Sequence, residues 1–162
     1  MDVLKSLSTM SPVWVGLWVY GLTVASAIVP WINAEIIVLS LPAFATSREA
    51  LFVLLLIATA GQMTGKCAVY WAGAGSGRVL PARIAAAVAS WRDRLAARPI
   101  KAAALVFVSS TFGLPPFYLM SLVAGALRMN FPLFLTVGTV GRLLRFGTLV
   151  LIPHLVLPWF RH

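Results

Sequence analysis

Pro30-Trp-Ile-Asn-Ala-Glu-Ile-Ile-Val-Leu-Ser-Leu-Pro42 places one carboxylate, Glu35, inside apolar sequence closed at both ends by proline. A charge at membrane depth is costly, so it normally faces a partner or a wet cavity and marks a functional site. The two prolines also make the stretch a poor continuous helix, and broken backbone at that depth survives only where protein or water satisfies it. A re-entrant hairpin lining a polar cavity meets both conditions, with Pro30 and Pro42 shaping the hairpin and Asn33 and Glu35 facing the cavity.

The surrounding chain supports a bilayer setting. Of its 162 residues 60% are hydrophobic and 10% charged, against roughly 25% charged in a soluble domain. Mean hydropathy is +0.94. Residues 6–34 and 102–127 carry no charged side chain, and each exceeds the roughly 20 residues of a spanning helix. No cleavable signal is evident, because the apolar run continues past any short hydrophobic region without a clear small-residue cleavage site. The composition predicts an all-α integral membrane protein in one domain.

Thirteen Lys and Arg against four acids give a formal charge of +9. In a soluble chain that excess suggests nucleic acid. Here Arg78, Arg83, Arg92, Arg94, Arg98 and Lys101 fall in one connection with the single acid Asp93, so the positive-inside rule places residues 78–101 and the N-terminus in the cytoplasm. Contact with anionic headgroups is a further role for these cations and for Arg128. The lone Cys67 excludes an intramolecular disulfide and a Cys-based metal site, and two His give no metal cluster. No metal or cofactor is expected.

In chain order, Ser11-Pro12 reads as a cap followed by proline at the first helical position. A first apolar helix runs from Val13 to Val29, with Trp14, Trp18 and Tyr20 where an interfacial aromatic belt would sit. After the broken stretch, Arg48 and Glu49 return the chain to a surface. A second helix covers Leu51 to about Gly73, with Gly61 and Gly65 on one face as a close-packing pair. Lys66 shares that helix and either enters the bundle or snorkels to an interface. The glycines at 73, 75 and 77 end a membrane helix rather than cradle a phosphate, since the Walker lysine and serine are missing. Over 79–101, Ile84, Val88, Trp91 and Leu95 form one stripe, the pattern of an amphipathic helix in the membrane interface.

A second interruption, Phe112-Gly-Leu-Pro-Pro116, divides the next apolar run, and Gly113, Pro115 and Pro116 shape it. Phe117 to Leu127 resumes, with Gly125 at a packing position, and Phe131 to Leu157 is the last spanning segment. Arg142 and Arg145 lie three apart on one face of that helix. The two interrupted stretches overlay at an offset of about 80 residues, Glu35-Ile-Ile-Val-Leu-Ser-Leu-Pro-Ala on Pro116-Phe-Tyr-Leu-Met-Ser-Leu-Val-Ala, with Gly61-Gln near Gly141-Arg. The reading is two inverted repeats, about 12–77 and 102–160, each a re-entrant hairpin plus a spanning helix. Paired interruptions of this kind point to a transporter's binding site. The cavity would collect Asn33, Glu35, Lys66, Arg142 and Arg145.

These residues resemble the DedA superfamily, the VTT-domain membrane proteins, and most of all its short YqaA-like branch. The likeness rests on Pro30 to Ala43 with its embedded Glu, on the Gly61 to Arg78 block with Tyr70, and on Phe112 to Arg145 with Pro-Pro, Ala-Gly-x-x-Arg-Met and Gly-Arg-x-x-Arg. It implies two inverted re-entrant hairpins and a role in moving lipids between leaflets, polyprenyl phosphate or phospholipid, in a bacterial inner membrane. The family's hairpin acid maps onto Glu35. Thr111 and Phe117 stand where similar transporters carry arginines, and a second acid is missing unless Glu49 serves. These departures remove the grounds for assigning proton coupling or undecaprenyl phosphate specificity.

The chemistry expected is non-enzymatic. Cations at 66, 142 and 145 can hold a phosphate, the arginines in bidentate fashion, while Glu35 binds an amine or exchanges a proton. The plainer reading has Glu35 pairing with one of those cations to lock its hairpin. A lipid phosphatase or protease needs a nucleophile with a base or metal, and neither His154 nor Cys67 has partners at a recognisable spacing. The alternative from another class is a non-transporting scaffold that supports the envelope. Membrane lipids are the expected partners, with a second copy of the chain completing the cavity.

Overall fold

The computed structural model describes residues 12–29, 32–75 and 81–156, the side chains of 152–156 excepted. Pro30, Arg78 and the N-terminal segment lie outside the described residues. Those described form seven α-helices and no strand.

α1, Pro12–Ile28, starts with proline where a missing N–H costs nothing. Its hydroxyls turn inward onto their own backbone, Thr23 Oγ1 donating to the Val19 carbonyl at 2.8 Å and Ser26 Oγ to that of Thr23 at 2.8 Å. α2 is short, Ala34–Ser40, and ends in a single 3-10 turn, Leu41–Ala43, that holds Pro42. The chain reverses between the two. Val15, Val19 and Leu22 of α1 line one pocket together with Ile36, Ile37, Leu41 and Phe44.

α3, Arg48–Gly75, is one uninterrupted helix of 28 residues, about 42 Å long. It starts earlier than the hydropathy boundary at Leu51 because Ser47 Oγ accepts the Ala50 N–H at 3.1 Å, which puts Arg48 and Glu49 in its first turn. Its glycines do different work from one another. A side chain on Gly61 would run into the Tyr20 carbonyl at 2.7 Å, and one on Gly65 would meet the Val24 carbonyl at 2.8 Å, so α1 lies against α3 backbone to backbone. Gly73, expected at a helix end, is instead a buried crossing point where α3 meets the Leu122 backbone.

α4, Ala82–Leu95, carries the predicted stripe, but the stripe faces protein. Val88 and Leu95 are buried, and Ile84 and Trp91 pack against the same core cluster as Met120 and Leu122. The cations stay outside, with Arg83, Arg92, Arg94, Arg98 and Lys101 all exposed. Arg92 pairs with Asp93 at 3.4 Å, and Arg94 lies 5.8 Å from the Trp91 ring centre. The connection is also shorter than expected. Pro99 opens α5, Pro99–Phe112, which therefore contains Lys101.

Gly113 ends α5 in the left-handed region, φ +82°, its N–H donating to the Ser109 carbonyl at 2.9 Å. Leu114–Pro115 is a cis peptide. α6, Phe117–Ala126, then runs back and crosses α3, where Gly125 presses on the Tyr70 carbonyl and lies within 2.9 Å of the Ala74 nitrogen for any added Cβ. Arg128 takes φ +49° at its end, and the Met129 N–H reaches back to the Ala124 carbonyl at 3.0 Å. α7, Phe131–Val156, is capped by Asn130, whose Oδ1 accepts the Leu133 N–H at 3.1 Å.

α3 and α7 are the two central helices, and both are long and apolar enough to cross a membrane. One core surrounds Tyr70, Met120, Leu122 and Phe134; the other joins Val19, Val38, Leu41, Leu54 and Phe146. Outside, Trp14, Trp18, Phe52, Trp71, Ile100, Phe112 and Leu151 are all exposed. An outward surface of large apolar side chains over a core that holds Lys66 and Arg142 is compatible with an α-helical membrane protein.

Candidate functional site

Asn33 sets the first side of the site. Its Oδ1 accepts the Glu35 N–H at 2.8 Å, capping α2 and fixing Glu35 at the second helical position. A carboxylate there also meets the positive end of the helix dipole. Asn33 itself is exposed and serves as a cap, which distances it from the cavity-lining role expected of it.

From α7, Arg145 reaches both chain reversals. Its Nε donates to Glu35 Oε1 at 3.0 Å, and Nη2 donates to the same oxygen. Its Nη1 donates to the Thr111 carbonyl at 3.1 Å, in the last turn of α5. Gly113 makes room for this guanidinium, since a Cβ there would lie 3.2 Å from Nη1. The side chains of Arg145 and Glu35 are 20% and 34% exposed, so the pair is neither dry nor freely solvated.

Lys66 performs the corresponding task from α3. Its Nζ donates to the Ala27 carbonyl at 2.7 Å, in the last turn of α1, where helix carbonyls lack partners and a cation suits the dipole. The same ammonium lies 5.3 Å from the Tyr118 ring centre and 5.7 Å from that of Phe117, at the start of α6. Lys66 of α3 thus reaches the end of α1 and the start of α6, and Arg145 of α7 reaches the end of α5 and the start of α2. In one case the distant contact is a carboxylate, in the other two aromatic faces. Lys66 therefore stands apart from the Glu35 to Arg145 pair, with its charge engaged elsewhere.

Arg142 is a buried cation outside both ion pairs of the described residues. It is 9% exposed, and its guanidinium is stacked between Phe117 at 4.9 Å and Phe146 at 5.6 Å. Nε is buried with no hydrogen-bond partner. Two ion pairs exist among the described residues, and neither includes Arg142. A buried Nε–H without an acceptor carries a desolvation cost that an acceptor placed there would relieve. Gly141 beside it lets α7 approach Ser110 and Thr111 of α5.

Two residues take roles that sequence does not assign them. Gln62, 1% exposed, donates to the Thr23 carbonyl at 3.2 Å and to Ser26 Oγ at 2.5 Å, while its Oε1 has no partner. Its signal was available in its spacing, one turn before Lys66 and next to Gly61. Phe117, at a position where similar transporters carry an arginine, holds its ring against both Lys66 and Arg142. Thr111, flagged for the same reason, contributes a backbone carbonyl that any residue would supply.

The remaining expectations spread outward. Arg128 is exposed and borders a pocket of about 450 Å³ with Tyr70, Trp71, Ala74 and Gly75. Pro42, Pro115 and Pro116 lie at chain reversals or helix ends, and Gly61, Gly65 and Gly125 at helix crossings. Among the described residues no three His, Cys, Asp or Glu side chains gather as metal ligands. Set beside known proteins, the chain matches no family model, no curated protein and no solved structure at a significant level.

Proposed function

We propose that the chain is a DedA-like integral membrane protein that moves a phosphate-bearing lipid between leaflets, with Glu35, Arg142 and Arg145 on the headgroup's path. The observation that carries this reading is Arg142, a buried guanidinium with an unsatisfied Nε, one turn from Arg145 of the Glu35 ion pair on the same helix. A phosphate can take Arg145 from Glu35 and supply the acceptor that Arg142 lacks, and arginine pairs bind such oxyanions in forked geometry. Glu35, once released, can bind a headgroup amine. The lipid tails stay outside among the exposed apolar side chains of α1, α3 and α7.

In this reading the connections between α1 and α2 and between α5 and α6 are tips of re-entrant hairpins in two inverted repeats. The reciprocal reach of Lys66 and Arg145 supports that symmetry. Exposed cations on α4 and at Arg98 and Lys101 support a cytoplasmic face for that side.

The pairing of Glu35 with Arg145 favours one rival, a scaffold in which the ion pair only locks two hairpins together. Liposomes containing the purified protein and a fluorescent phospholipid separate the two. Headgroup-dependent movement that falls at least tenfold in Glu35→Ala and in Arg142→Gln is the expected result. Wild-type liposomes no faster than empty ones would reject translocation, and equal rates in both variants would remove these residues from the path.

A further inference from the structure

Between α1 and α2 the surface opens into a trough of about 430 Å³. Val19 and Leu41 form its buried floor, and Trp18 and Ile36 stand at its exposed rim. It extends along α1 from Val15 to Leu22, about 10 Å of helix axis. The lining is almost wholly apolar: apart from the Trp18 indole its one polar side chain is Ser40, whose hydroxyl donates to the Ile37 carbonyl at 2.7 Å.

One end of this trough lies near charge. Ile36, at its rim, directly follows Glu35 in α2, so that end is one residue along the helix from the carboxylate that Arg145 holds. The floor is continuous with it as well: Val19 and Leu41 belong to the same packed cluster as Phe146, the ring that carries Arg142. A ligand complementary to the whole feature has a thin apolar body and an anionic group at one end.

We propose that the trough holds one hydrocarbon chain of the lipid whose phosphate is offered to Arg145 and Arg142. The proposal rests on the translocation reading and specifies which part of the lipid the protein grips. It makes α2 a guide: the chain stays in the trough while the head is passed to the arginines, which sets the orientation of the lipid before its headgroup leaves the interface. A soluble phosphate lacks the chain and gains nothing from the trough.

The test uses the full chain in liposomes doped with a phospholipid bearing a diazirine on one acyl chain. After photolysis, peptide mapping should place adducts on the α1 and α2 lining, Trp18, Leu22, Ile36 and Phe44, at least tenfold above the exposed apolar residues of α3 such as Phe52. The variants Ile36→Trp and Ser40→Phe fill the trough from residues already exposed, so folding is spared, and each should cut those adducts and lipid movement together. Adducts spread evenly over all apolar faces overturn the proposal. Adducts unchanged by filling, or a shift from dimer to monomer on filling, also overturn it, the latter assigning the trough to a second copy. If filling leaves movement intact while Glu35→Ala abolishes it, the trough assignment falls and translocation stands. If wild-type protein moves no lipid, translocation falls, and the adduct map alone decides the occupant.

Discussion

The first half of the chain, 12–75, and the second, 99–156, solve the same mechanical problem with different chemistry. In each, a helix runs to a break, a short helix returns, and a long helix supplies a cation that ties the break down. The first break starts with a capping Asn33 and a carboxylate; the second starts with Pro116 and two rings, and no side chain caps it. Consequently Arg145 holds the first half through a charge pair, while Lys66 holds the second through π-faces. The difference matters because a carboxylate can be displaced by another anion, whereas a ring face cannot be exchanged. In the proposed function, the first junction is the one a ligand anion can exchange with, and the second stays fixed.

Gly125→Val should produce the largest effect, because its Cβ would fall on the Tyr70 backbone, which cannot yield. A loss of about 3 kcal/mol or more is expected from such overpacking, seen as failure to give a monodisperse peak in detergent. Survival of that variant would mean that the two halves are not held by the α3 to α6 crossing. Next in size is Arg145→Ala, which strands Glu35. The expected cost lies between the roughly 0–1 kcal/mol of an exposed pair and the roughly 3–5 kcal/mol of a buried one. Adding Glu35→Ala should recover most of the melting temperature, and simple additivity would show that the two side chains do not interact.

Asn33→Ala removes the cap of α2 and should cost about 1 kcal/mol, read as a modest fall in melting temperature. Pro116→Ala, which removes no capping side chain, should leave the start of the second short helix unchanged. The smallest change is expected for Lys66→Met, which trades a buried ammonium for an apolar chain of similar length. Relief of desolvation offsets the lost cation–π and carbonyl contacts, leaving a net effect within about 1 kcal/mol. A loss as large as that of Arg145→Ala would erase the distinction between exchangeable and fixed junctions.

Much of the site was legible because its residues are anomalous in their surroundings. Glu35, Arg142 and Arg145 stand out as charges in apolar sequence, and Pro42, Gly113 and Pro115 as interruptions. Helix extents also followed from hydropathy, with errors where hydropathy is blind to local bonds. Ser47 extends α3 backward past Leu51, and Pro99 restarts the chain before Lys101. The stripe Ile84, Val88, Trp91 and Leu95 was visible, but not what it faces, since lipid and protein present equally apolar partners.

The sequence by itself determined that the chain is helical, that it breaks at two places, and that a few charges must be accounted for inside. Those conclusions follow from composition, from proline's missing N–H, and from the cost of burying charge. Only the tertiary structure decided which charge meets which. Glu35 and Arg145 are 110 positions apart, and at that separation periodicity carries no information; the register of α2 against α7 selects the pair. It also decided that Lys66 is engaged by a helix end and two rings while Arg142 is not fully satisfied, because satisfaction is a property of neighbours in space.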